Sequence, residues 1–173
     1  MKTTKTPAGN MAILMIALFF FSPEIQARST GVGLGIAGGV VYAGGDLDSA
    51  DREKIGAGWG FFVDIPLVDS FHISPSTTIY EIDSGNGSHP ATDVDLNFKF
   101  IVPISNLKLG FGLLGGVTVA EQTYQGHWGL LGYTSYRLVS NLELFGMGSY
   151  KHVSRKGKNL NDIHFQGGIM IRL

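Results

Sequence analysis

The chain contains no cysteine in 173 residues. That excludes a disulfide framework, a thiolate metal site, a cysteine nucleophile and the acylated cysteine of a lipoprotein. Charge is scarce as well: 16% of residues are charged, against about 25% in soluble domains. With 13 Lys+Arg against 14 Asp+Glu, and a net charge of −1, there is no polybasic field for nucleic-acid binding. Beyond the N-terminal region no run of 18 apolar residues occurs, so no transmembrane helix is expected there. What is plentiful is glycine, 25 residues, about twice the usual ~7%. Low charge with high glycine points to sheet, and the length fits one domain.

The N-terminus has the form of an export signal. Lys2 and Lys5 precede an apolar run from Met11 to Phe21, and Ser22-Pro23-Glu24-Ile25-Gln26-Ala27 ends on a small residue where a signal peptidase would cut. As a helix the run would span only about half of a ~30 Å hydrocarbon core. Residues 1–27 are therefore expected to be a cleaved signal peptide, and residues 28–173 the mature domain.

The mature sequence alternates with period two in eight segments: Gly31–Ala43, Ile55–Ile65, Phe71–Ile82, Thr92–Val102, Leu107–Val119, His127–Leu138, Leu142–His152 and Asp162–Leu173. The connections Pro66–Ser70, Pro103–Asn106 and Val139–Asn141 are short. Gly44–Lys54, Asp83–Ala91, Ala120–Gly126 and Val153–Asn161 are longer and more polar or glycine-rich. Strict alternation of short and long connections is the pattern of a membrane barrel with tight periplasmic turns and larger external loops. It predicts an all-β, eight-stranded antiparallel up-and-down transmembrane barrel with both termini on one side.

The two faces of the segments indicate what surrounds the barrel. Ile163, Phe165, Gly167, Ile169, Ile171 and Leu173 share one face of the last segment; Asp162, His164, Gln166, Gly168, Met170 and Arg172 share the other. Ile55, Ala57, Trp59, Phe61, Val63, Ile65 and Leu67 likewise oppose glycines, Phe62 and Asp64. An eight-stranded interior has room for little more than its own side chains. The bulky apolar face therefore belongs outside, against lipid, and the face with glycines, Asp64, Asp95, Lys99, Arg137, Gln166 and Arg172 belongs inside. Gly31-x-Gly33-x-Gly35 is read as small lumen-facing residues rather than a phosphate loop. The C-terminal Gln166-x-Gly168-x-x-Ile171-x-Leu173 has the polar–x–Gly–x–x–apolar–x–apolar arrangement of the terminal-strand signal read by the barrel-assembly machinery. In this layout and motif the chain resembles small outer-membrane β-barrels, although those strands most often end in an aromatic residue and this one ends in Leu.

Chemistry is sparser. The carboxylates of Gly44–Asp51 have partial calcium-loop spacing but lack the bidentate Glu, and read as a solvated loop. His72, His89, His127, His152 and His164 fall in different segments without i,i+4 pairing, so spacing argues for no metal site, and no cofactor is expected. His152-x-Ser154 on an extended chain places an imidazole and a hydroxyl on one face, as a base and nucleophile require. In His152, Ser154 and Gly157 the chain resembles the lipid A 3-O-deacylase family, eight-stranded outer-membrane esterases with a His-x-Ser-Asn-Ala-Gly signature. Arg155 and Lys156 replace the Asn and Ala, and Gln166 stands where the family's catalytic Glu would fall. The resemblance implies Ser154 as nucleophile and His152 as base. A hairpin centred on Gly157 would place Asp162 opposite His152 as a substitute acid.

Three readings of function follow. The first is an outer-membrane barrel with a packed lumen in a structural, adhesive or envelope-interaction role, its partners being membrane lipid, lipopolysaccharide and, during biogenesis, the assembly machinery. The second is an esterase releasing a 3-hydroxyacyl chain from lipid A through Ser154, His152 and Asp162. The third is a soluble lipocalin-like carrier.

Overall fold

A computed structural model describes residues 31–45, 54–84, 87–120, 123–155 and 158–173. The expected signal peptide and the carboxylates of residues 46–51 lie outside them. Eight strands are present: β1 (Gly33–Gly45), β2 (Lys54–Val68), β3 (Phe71–Ser84), β4 (Gly87–Ile104), β5 (Leu107–Ala120), β6 (Thr123–Val139), β7 (Leu142–Arg155) and β8 (Lys158–Arg172). Each pairs antiparallel with its sequence neighbours, and β1 pairs with β8, closing the barrel. Closure leaves no sheet edge, the condition a sheet must meet to cross a membrane.

Every expected segment is a strand, and the three short connections are two-residue turns at residues 69–70, 105–106 and 140–141. Ser105 takes a positive φ of 58°, at the position where a hairpin turn of this kind favours glycine. Register shifts between Pro66 and Val68 and between Arg137 and Val139 bend two strands beside these turns.

The expected long loops are corrected by the structure. β3 and β4 run to Ser84 and from Gly87, β5 and β6 to Ala120 and from Thr123, and β7 and β8 to Arg155 and from Lys158. Only two residues separate the strands in each of these hairpins, and only the β1–β2 connection, residues 46–53, is long. The reason is physical: backbone pairing is indifferent to side-chain polarity, whereas the alternation that reveals a strand stops where the lipid stops. β4 has 18 residues and β6 has 17, against the roughly 9–11 that cross a bilayer. The ends opposite the turns therefore overhang the apolar band as paired ribbon.

The faces are as the alternation predicts. Leu34, Ile36, Trp59, Phe61, Val94, Leu113, Phe165 and Ile169 are exposed on the outer wall, while Asp64, Asp95, Lys99, Gln166 and Arg172 are buried inside. Arg137 reaches only the rim, its side chain one-third exposed and 3.8 Å from Glu143. A soluble carrier would need the reverse, an apolar cavity under a polar exterior. Ala37, Phe62, Ile101, Leu114, Leu131, Tyr133, Phe145 and Met170 form an apolar cluster inside the barrel. Glycines on the inner face make room for it. At Gly168, facing Ala37 across β1–β8, a Cβ would stand 2.7 Å from the Ala37 Cα.

Candidate functional site: the filled lumen and the outer rim

Period-two alternation carries polar residues of every strand except β1 into the lumen, where they can be buried only as pairs. Near the turns and termini, Asp64 is the hub. It accepts from Ser74 Oγ at 2.6 Å and Arg172 Nη1 at 2.6 Å, meets His72 Nδ1 at 2.9 Å, and pairs with Lys99 Nζ at 2.6 Å. Arg172 also donates to Glu143 at 3.1 Å, and Lys108 donates to Glu143 at 2.6 Å. The Lys99 ammonium lies 4.2 Å from the centre of the Tyr133 ring. Asn97 donates to the Ser74 carbonyl and to Ser76 Oγ, and Gln166 donates to Thr78 Oγ1, linking walls in the middle.

A second network lies toward the overhanging ends. Asp93 accepts from Tyr80 Oη at 3.1 Å, Thr118 Oγ1 at 2.8 Å and Lys151 Nζ at 2.5 Å. Lys151 donates also to Asp95 at 2.8 Å, and His127 Nε2 contacts the other Asp95 oxygen. His127 Nδ1 lies 2.9 Å from Thr118 Oγ1. His164 is 1% exposed, stacks edge-on to Tyr80 with ring centres 5.4 Å apart, and holds Nε2 3.7 Å from Asp93 without a hydrogen-bond partner. Asp162 is buried close by. The two networks and the apolar cluster line the interior from the turn end toward the overhanging end.

Spacing along the chain does not reveal these networks, because their members come from different strands: Arg172 and Asp64 are 108 residues apart. Inward parity is the one signal that gathers Asp93, Asp95, Lys151 and His164.

The catalytic arrangement expected from the His-x-Ser motif meets a correction. β7 and β8 pair Lys151 with Asp162, His152 with Asn161 and Ser154 with Asn159. The hairpin is centred between residues 156 and 157, and a register displaced by one residue turns a side chain to the opposite face. Asp162 is therefore buried in the lumen, whereas His152 is half-buried on the outer wall. There His152 Nδ1 meets Asn161 Oδ1 at 3.1 Å, and its ring lies 5.6 Å from that of Trp128. Asp162 does not face His152 and is not placed to orient it. The Ser154 side chain lies outside the described residues. Beside His152, Tyr150, Trp128 and Tyr124 are exposed along the same end of the barrel, where aromatic side chains mark the lipid boundary.

An outer wall of apolar side chains, a charged and filled interior and a closed eight-stranded sheet define the class: a transmembrane barrel of the outer-membrane type. Solved structures agree on the fold. Neisserial surface protein A is 13% identical, with a TM-score of 0.65 over 83% of this chain and 98% of that one. Ail, the attachment invasion locus protein of Yersinia pestis, is 11% identical, with a TM-score of 0.58 over 83% and 99%. The outer membrane protein OprG of Pseudomonas aeruginosa is 12% identical, with a TM-score of 0.51 over 83% and 97%. No protein-family model matches the sequence, and no curated protein matches it.

Proposed function

We propose that this protein is an outer-membrane barrel that works at the cell surface, by attachment or by contact with lipopolysaccharide, and not as a channel, carrier or enzyme. One observation carries the reading: interlocking buried ion pairs and an apolar cluster occupy the lumen among the described residues, which supports the wall and the overhanging rim as the surfaces a partner meets. Three of the four hairpins at that end continue as paired strand to within two residues of each other, so the rim is built mainly of sheet. Trp128, Tyr150 and His152 lie together on the outer wall toward the overhanging end, and aromatic and imidazole groups at a lipid boundary suit contact with lipopolysaccharide. The likeness in fold to Ail, an attachment invasion locus protein by name, supports the adhesive form of the reading. A catalytic role for His152 and Ser154 is not part of it, because the acid that would complete the set is on the other side of the sheet.

The test is expression in a non-adherent bacterial host that lacks its own adhesins. The reading predicts increased attachment to surfaces or retention of purified lipopolysaccharide by the isolated barrel, with no single-channel conductance in planar bilayers and no 3-hydroxyacyl acid released from lipid A. Conductance above the lipid baseline would overturn the non-channel reading. Acyl release abolished by Ser154→Ala would overturn the non-enzymatic one.

A further inference from the structure

The network toward the overhanging ends gathers carboxylates and imidazoles around one lysine. Three buried carboxylates, Asp93, Asp95 and Asp162, face Lys151, His127 and His164, with Tyr80 and Thr118 completing the wall. Thr118 Oγ1 joins the two sides, donating to Asp93 and lying 2.9 Å from His127 Nδ1. The other ring nitrogen of His127, Nε2, meets a carboxylate oxygen of Asp95.

We propose that this cluster is a binding site for a divalent transition-metal ion of the zinc type, with Asp93, Asp95 and His127 as ligands and His164 as the fourth. One donor atom from each of the first three lies within 4.8 Å of the others. His164 adds an independent observation: its Nε2 is buried, has no hydrogen-bond partner and is directed at Asp93 from 3.7 Å. A buried imidazole nitrogen without a partner costs free energy unless something binds it, and a ligand position gives it that partner. Two imidazoles with two carboxylates suit zinc and its neighbours better than calcium or magnesium, which take oxygen ligands.

Lys151 is the resident competitor. Its ammonium bridges Asp93 and Asp95 from 2.5 and 2.8 Å, and a dication entering between them displaces it.

The experiment uses the refolded barrel in detergent micelles, titrated with Zn2+ against a chromophoric chelator, with Co2+ absorption reporting coordination. Heat-modifiable migration confirms that each variant is folded. The expected result is one Zn2+ per barrel, weakened at least tenfold by His164→Ala and by Asp95→Asn, and unchanged by His152→Ala on the outer wall. His164→Ala removes no hydrogen bond at Nε2 but leaves a space beside Tyr80, which the migration assay checks. Lys151→Met should tighten binding at neutral pH by removing the competitor. Absence of bound metal in both wild type and Lys151→Met overturns the proposal. So does binding that His164→Ala leaves intact, or binding lost with His152→Ala.

Discussion

Asp64→Asn is the substitution that most directly probes how the lumen is held together. Asp64 is 0% exposed and receives four groups: Ser74 at 2.6 Å, His72 at 2.9 Å, Lys99 at 2.6 Å and Arg172 at 2.6 Å. An asparagine keeps the shape and one accepting oxygen but loses the charge and turns an N–H toward donors. Arg172 retains Glu143 at 3.1 Å. Among the described residues Lys99 retains the neutral amide oxygen and the Tyr133 ring at 4.2 Å, so the variant leaves a buried ammonium without a carboxylate. Breaking a buried pair from one side costs about 3–5 kcal/mol, most of it the penalty of the orphaned charge. Removing that charge as well, in Asp64→Asn/Lys99→Met, should recover about 2 kcal/mol or more of the loss. Urea-dependent unfolding from lipid vesicles measures both. Trp59 and Trp128, 51% and 61% exposed on the outer wall, report departure from the membrane by fluorescence. A loss below about 1 kcal/mol, or a double variant no more stable than the single, would refute the view that Asp64 organises this end of the lumen.

Gly168→Ala should destabilise the barrel by about 1–3 kcal/mol in the same assay, since the added methyl meets the Ala37 backbone across β1–β8; a neutral result would show that the two strands can separate there freely. Ser105→Gly should stabilise by about 0.5–1 kcal/mol, because φ of 58° strains any residue with a Cβ, and a loss of stability would contradict that. Leu173→Asp should lower the heat-modifiable fraction in cells, as it puts a charge on the last outward apolar position of the terminal strand, 76% exposed; normal assembly of that variant would remove Leu173 from the assembly signal.

How much of this was legible in the sequence differs by level. Strand number, order and inward or outward parity followed from alternation in residues such as Ile163 to Leu173, because lipid imposes an apolar face along the whole membrane span. The hairpin ends did not follow. The alternation in the sequence ends at Ile82 and His152, while backbone pairing goes on to Ser84 and Arg155. The site at His152 failed for the related reason that a hairpin centre displaced by one residue exchanges Lys151 for His152 as the partner of Asp162. The lumen networks were legible residue by residue as buried polar groups, but not as pairs. Lys151 and Asp93 meet across 58 residues and non-adjacent strands, and only closure of the barrel brings them together.

The central claim is that lipid surrounds the barrel and side chains, not water, fill it. Because the chain has no native cysteine, single cysteines can be placed at will and spin-labelled. Labels at Leu113 and Phe165, exposed on the outer wall, and at Ser76 and Thr78, buried inside, give the decisive contrast in vesicles. The account predicts that the outer pair collide with dissolved oxygen and not with a water-soluble nickel chelate, while the inner pair are shielded from both. Nickel accessibility at Ser76 or Thr78 would reveal an aqueous pore, and nickel accessibility at Leu113 and Phe165 would show that the barrel does not stand in a membrane at all.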